Sequence, residues 1–407
     1  MEKSVNKLNI RWFYLVVGTV SMLFAGIIYA WSILKMPLAA EFGWGAGQLA
    51  LNFTLTMCFF CVGCFLGSLI SKWMGVKLTV MFFGAFAGLG FVFTAFVNGN
   101  LTALFLAYAV AAGLGIGISY NVIIATVSAW FPDKRGLASG CLLMGFGLST
   151  LIFGKLFDSL FAPDSIGWRM AFILFGVAIA IVLALAGLIL KKPGEDVIFP
   201  KIEKTAAIGK ENFEPRDFNV AEMLKRRSFW FAFLCISFLA AVGNSVISFA
   251  KDLAVSVGAA EKLATTLVGI LAVCNGLGRI ITGACFDRFG RKITMLAACV
   301  LALAAPLTIL CAVKIESLGL CILGLCLTGI SYGTSPTLCS AFTSAFYGQK
   351  HFATNYSVMT FTLMVASFAA TACSSLLVRS GAYVAPFLLL IGLAVVAFFL
   401  NLSIKRP

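Results

Sequence analysis

In a chain of 407 residues, 61% are hydrophobic and only 11% charged, against about 25% charged in a soluble domain. Mean hydropathy is +1.02, so no soluble core hides this much apolar surface and lipid must be the solvent for much of it. The net charge of +14 fits Lys and Arg gathered in loops on one membrane face. With no basic patch interleaved with aromatics in a polar segment, it argues against a nucleic-acid partner.

Backbone polar groups in lipid must be satisfied internally, which leaves helices or closed barrels. The apolar runs are continuous rather than alternating, so helices are expected. In chain order the spans fall at 12–34, 48–71, 78–97, 101–130, 137–161 and 168–190, then at 228–250, 263–284, 293–313, 317–346, 352–378 and 382–403. The first run is too long for a signal-peptide core and no small-residue cleavage pattern follows it, so it reads as a span. Between the sets, Lys191 to Arg227 holds nine Lys/Arg, seven Asp/Glu and three prolines. The expected fold is an all-α membrane protein with twelve transmembrane helices in two pseudo-symmetric six-helix bundles. Residues 1–190 and 228–407 form the bundles, and 191–227 form a cytoplasmic linker.

Of the 30 Lys and Arg, 22 fall on the side holding both termini and the linker, six fall on the other, and Lys155 and Arg279 lie within helices. That bias places both termini in the cytoplasm of a cell (cytoplasmic or inner) membrane and requires an even number of spans. The halves also repeat. Gly117-Ile-Ser-Tyr120 recurs as Gly329-Ile-Ser-Tyr332, offset by 212, and the stretch that starts at Gly67 and reaches Gly75 and Lys77 resembles the one that starts at Gly283, offset by 216 at its first residue. Duplicated halves around a midplane site are a transporter architecture.

Thirteen cysteines scatter through the apolar runs. Cys58, Cys61 and Cys64 have a spacing that metal sites use, but they lie in a membrane helix without His or acid nearby and read as packing residues. No metal, cofactor, disulfide framework or redox motif is expected. The lone His351 reads as a solvated loop residue. Clusters of His, Asp and Glu such as membrane enzymes carry near the interface are absent, and the linker is too short for a sensor's output domain.

The segment Gly283-Ala-Cys-Phe-Asp287-Arg288-Phe-Gly290-Arg291-Lys292 resembles the inter-helix signature of the major facilitator superfamily. Its glycines permit a tight turn and close helix approach, and Asp287 can pair with a base or cap a helix N-terminus. The first-half copy is degenerate, with Ser71 at the acid's place beside Lys72. A narrower resemblance is to the oxalate/formate antiporter branch, close to the monocarboxylate transporters. It rests on Trp130-Phe-Pro-Asp133-Lys-Arg135-Gly-Leu-Ala-Ser-Gly140, Tyr29-Ala-Trp31-Ser32, Asn275-Gly-Leu-Gly-Arg279 and Phe346-Tyr-Gly-Gln-Lys350 leading to Asn355-Tyr356. The signature residues Gly283, Asp287, Arg288, Gly290, Arg291, Lys72, Asp133 and Arg135 are expected to serve fold and gating rather than substrate choice.

Arg279 lies eight residues before Asp287, about 12 Å deeper at 1.5 Å per residue. An arginine at such depth costs at least ~2.5–3.5 kcal/mol and normally faces a cavity or a partner. Of the sixteen Asp and Glu, only Asp158 falls in an expected span, where Lys155 on the same helix face can pair with it. A substrate carboxylate matches the guanidinium through two hydrogen bonds, and the resemblance implies that an arginine here binds substrate. Snorkelling to the surface or donation to backbone carbonyls is the competing role. Oxalate transporters of the branch carry a lysine in span 11, whereas residues 352–378 contain none and Leu363 stands near its place. One cation favours a monocarboxylate such as formate, lactate or pyruvate over a dianion. An oxalate/formate-type exchanger or an exporter of larger amphipathic compounds is the alternative. In the superfamily, spans 1, 4, 7 and 10 line the central cavity. Tyr29, Tyr120, Asn121, Asn244, Ser248 and Tyr332 are candidate substrate contacts there, against interhelical packing, and Trp31 shapes an apolar end. With no acid or histidine deep in the helices, exchange and proton symport stay open. The expected partners are a small carboxylate and the bilayer, and a monomer is expected.

Overall fold

The computed structural model describes residues 2–161, 165–194, 197, 199 and 217–405, with side chains for all of these except 2–8, 46 and 158. The expected Lys155–Asp158 pair and most of the 191–227 segment lie outside the described residues. Every element among the described residues is helical. Ten stretches are long and apolar enough to cross a membrane. Two of these, Gly47–Thr94 and Glu261–Lys314, have 48 and 54 residues, where one crossing needs about 20. Each is interrupted at a single glycine, Gly75 (φ 72°, ψ 171°) and Gly290 (φ 73°, ψ −177°). The ten stretches therefore hold twelve crossings in an all-helical fold.

That corrects one expectation. The connections expected at 72–77 and 285–292 are shorter than the span bounds allow, and helix runs up to one left-handed glycine on either side. Only glycine takes this conformation without a steric penalty. Four residues on, Thr79 Oγ1 donates to Gly75 O at 2.6 Å and Thr294 Oγ1 to Gly290 O at 2.9 Å, so the two turns share a capping device. The first span also runs past its expected end at 34. It consists of Glu2–Ala25, a 3₁₀ stretch Gly26–Ala30 and Trp31–Phe42. Ala39 to Phe42 continue the helix, and Gly43 ends it as a left-handed cap whose N–H donates to Ala39 O at 3.0 Å. Span 4 begins with Leu101–Leu104 and a π-helical stretch Phe105–Ala112 before Gly113–Ser128. Span 7, Arg227–Ser256, bends at Phe249, and span 11 is split into Phe352–Met359 and Thr362–Ser380.

The chain divides into two compact units, Met1–Asp133 with Cys141–Ile202, and Lys134–Gly140 with Glu203–Pro407. Within each, the repeated Gly-Ile-Ser-Tyr segment meets a neighbouring span in a similar way, although Gly278 is not the sequence counterpart of Gly67. A methyl group on Gly67 would lie 2.8 Å from Ile118 O, and one on Gly278 would lie 2.5 Å from Ile330 O. Gly117 lies against Phe60 O, and Gly329 against Leu271 O. Small residues let helices approach backbone to backbone, which is how packing gains energy where no hydrophobic effect acts between helices. In the first unit, Arg169 and Trp168 both bond the Glu41 carboxylate, and Arg169 Nη1 donates to Ala95 O at 2.9 Å. These contacts tie the end of span 1, the 3–4 connection and the start of span 6.

Candidate functional site

Arg279 is 4% exposed within the helix Glu261–Lys314. Its Nε donates to Asn275 Oδ1 at 3.3 Å, one turn earlier on the same helix. Its backbone is held from two sides. Thr337 Oγ1 donates to Arg279 O at 3.3 Å, and a methyl on Gly333 would lie 3.0 Å from Arg279 N. Gly140 lies against Arg279 O in turn. A close-packed backbone and a bonded Nε fix the direction in which the guanidinium projects. Burial speaks against snorkelling and leaves anion binding and donation to backbone carbonyls as the competing roles.

The other second-half candidates divide. Tyr332 is 5% exposed and packs with Ala240, Ala241 and Ala366, its ring lying against Gly243 of span 7. Asn244 is half-buried. Ser248 is exposed and donates to Ser245 O at 2.6 Å, a bond within its own helix. Leu363 sits in the first turn of Thr362–Ser380.

In the first unit, Tyr29 and Tyr120 converge on one ring. Their centroids lie 5.2 and 5.0 Å from Phe146 of span 5, and Phe60 of span 2 adds a contact to Tyr120 at 4.9 Å. Edge-to-face geometry at these distances fixes the phenol rings. Asn121 is fully buried beside Tyr120. Trp31 is 3% exposed, its Nε1 donates to Leu49 O at 2.9 Å, and its ring packs tilted against Tyr108 with centroids 4.5 Å apart. The indole thus anchors span 1 on spans 2 and 4. Phe60 and Phe146 have no mark in the sequence, and Asn275 stands there only within the family-like Asn275-Gly-Leu-Gly-Arg279 segment, without a role of its own. The signal for its contact with Arg279 is the spacing of four on one helix face.

The signature residues acquire partners. Asp287 Oδ1 accepts from Gly136 N and Oδ2 from Leu137 N, both at 2.8 Å, so the carboxylate caps the helix that starts at Arg135. Gly283 lies against Gly136 O, and Arg135 Nη1 donates to Ser344 O at 3.2 Å. Arg288 and Arg291 lie over the Phe289 and Phe346 rings at 5.4 and 5.8 Å. Asp133 takes Arg11 Nη1 at 2.8 Å, with the Arg11 guanidinium 5.1 Å above Phe131, while Trp130 Nε1 donates to Lys191 O at 2.7 Å. Lys72 is exposed. At the other family-like segment, Phe218 N donates to Tyr347 O at 3.0 Å and Asn355 Nδ2 to Phe218 O at 2.8 Å. Lys350 N bonds Asp217 Oδ1 at 3.1 Å. The short helix Val220–Leu224, capped reciprocally by Asn219 and Glu222, follows directly. Among the described residues, no group of three or more His, Cys, Asp or Glu is placed to hold a metal.

The sequence profile of the Major Facilitator Superfamily matches residues 14–250 and 233–407. The oxalate:formate antiporter of Oxalobacter formigenes is 32% identical over 299 residues, covering 72% of this chain and 67% of that protein. The uncharacterized MFS-type transporter YhjX of Escherichia coli is 29% identical over 86% of this chain and 84% of its own length. Human monocarboxylate transporter 11 is 35% identical over a shorter part, 38% of this chain and 32% of that protein. In fold, the chain matches the proton:xylose symporter XylE with a TM-score of 0.75 at 13% identity, covering 98% of this chain and 96% of that one. It matches FucP in the outward conformation with a TM-score of 0.72 at 15% identity, over 97% and 99%. With a matching profile over most of its length and this fold, the chain is a multi-pass membrane protein that belongs to the major facilitator superfamily.

Proposed function

We propose that the protein is a secondary transporter of small carboxylates, with Arg279 as the group that holds the anion. The observation that carries this reading is the burial of a permanently charged side chain deep in span 8, in a chain whose relatives include an oxalate:formate antiporter and monocarboxylate transporters. A guanidinium in that setting is expensive unless it meets polar or anionic groups, and its planar fork fits a carboxylate. A monocarboxylate such as formate, lactate or pyruvate is the favoured substrate, because residues 352–378 supply no lysine as a second cation. Tyr29, Tyr120, Tyr332, Asn121 and Asn244 are the proposed hydrogen-bonding contacts. Trp31 and Ser248, whose polar atoms bond backbone carbonyls, are assigned to packing. Residues 1–190 and 228–407 are taken as the bundles that exchange access, with 191–227 joining them on the cytoplasmic side of the cell membrane. Asp287, Arg135 and their neighbours act on the gate.

The test has two arms. A thermal-shift panel of mono- and dicarboxylates on purified protein ranks ligands, since binding to the folded state raises its stability. Uptake by Arg279→Gln and Arg279→Lys variants, with membrane insertion verified, then tests the site. Loss of uptake in both is expected. Retained transport in well-folded Arg279→Gln, or a preference for dicarboxylates, would overturn the site or the choice of a monoanion respectively.

A further inference from the structure

The two signature turns share their backbone and differ in what they present. At the second, the Asp287 carboxylate is engaged by two backbone N–H groups and the flanking arginines lie over aromatic rings. At the first, Ser71 stands where the acid would be, and the turn at Gly75 carries Lys72, Trp73, Met74 and Lys77. Lys72 and Lys77 are exposed, and Trp73 is 91% exposed, further out than any other large apolar side chain among the described residues. A turn between two membrane crossings lies at the membrane–water boundary. An indole there is well placed with its apolar body among acyl chains and its N–H among headgroups. Two ammonium groups within five residues of each other, with no acid between them, complement anionic phosphate.

We propose that residues 72–77 form a recognition element for anionic phospholipid headgroups, in which Trp73 inserts at the interface and Lys72 and Lys77 hold the phosphate. The first-half turn has thereby become a lipid-facing contact, while its sister turn keeps an internal one. Nothing in this assignment depends on the transported substrate.

The test uses the full-length protein in phosphatidylcholine vesicles containing brominated phosphatidylglycerol or, at equal bromine content, brominated phosphatidylcholine. The difference in fluorescence between wild type and Trp73→Phe isolates the Trp73 signal. That signal is expected to be quenched several-fold more by the anionic lipid, each lysine contributing an enrichment of about fivefold. Lys72→Gln with Lys77→Gln is expected to bring the two lipids level while leaving Trp73 quenched. No quenching by either lipid would place Trp73 in water and overturn the proposal. Equal quenching in the wild type would make Trp73 an interfacial anchor and overturn the anionic recognition. An unchanged preference in the double lysine variant would also overturn the role assigned to Lys72 and Lys77.

Discussion

Arg279 Nε lies 3.3 Å from Asn275 Oδ1, so the amide one turn earlier on span 8 sets the edge from which the guanidinium is held. A hydrogen bond to a charged group contributes about 1.5–3 kcal/mol, equivalent to roughly ten- to a hundredfold in an equilibrium constant. Asn275→Leu is therefore expected to weaken carboxylate binding by a factor of that order, with KM rising more than kcat falls. Titration of the ligand identified by thermal shift measures this directly. Unchanged affinity would mean that the grip of Thr337, Gly333 and Gly140 on the backbone positions Arg279 by itself.

Gly75 and Gly392 separate backbone conformation from space. A methyl on either meets nothing within 4 Å, but Gly75 has a φ of 72° while Gly392 sits inside the helix Val384–Ser403. Alanine in the left-handed region costs about 1–2 kcal/mol, whereas Gly→Ala inside a helix gains roughly 0.5–1 kcal/mol. Gly75→Ala is expected to lower the melting temperature and Gly392→Ala to raise it slightly. The same sign for both would remove the conformational explanation of the turn.

The twelve spans were legible because their signal is collective: about 20 apolar residues outweigh any single side chain. The glycines marked the turns, but not that helix runs up to a single residue on either side, which only φ at Gly75 and Gly290 shows. Arg279 stood out because charge in lipid is rare. Phe146 and Phe60 did not, because a chain with 39 phenylalanines gives no hint of which rings meet Tyr29 and Tyr120. The resemblance at Phe346 to Tyr356 pointed to a family, but the partner of that segment, Phe218, comes from 129 residues before Tyr347. Pairings at that distance follow from tertiary packing, which no local pattern encodes.

Asn355 is placed to hold the chain as it enters the second set of spans. Its Nδ2 donates to Phe218 O, and Phe218 is 2% exposed with its ring 5.8 Å from Tyr347. Leaving that carbonyl unpaired costs about 1–3 kcal/mol, so local opening becomes roughly five- to a hundredfold more frequent in Asn355→Leu. Trypsin reads this at Lys225, Arg226 and Arg227, just beyond the helix Val220–Leu224. Cleavage there is expected to accelerate by such a factor while sites elsewhere keep their rates. Uniform acceleration at all sites would indicate global destabilisation and count against a local tether.

Gly117 and Gly329 offer the most direct comparison of the two halves. Each lies against a carbonyl of a neighbouring span, Phe60 O and Leu271 O respectively, so alanine at either forces the helices apart. Overpacking of this kind costs about 1–3 kcal/mol, and similar losses of thermal stability are expected. Their effects on ligand binding are expected to differ. A methyl on Gly329 would also lie 3.2 Å from Asn275 N, pressing on the turn that orients Arg279. A methyl on Gly117 presses instead on Phe60, whose ring stands 4.9 Å from Tyr120. With stability matched, Gly329→Ala is expected to reduce carboxylate affinity more than Gly117→Ala, because it moves the charged group rather than a neutral contact. The reverse ranking would shift the weight of anion binding from span 8 to the tyrosines of the first half.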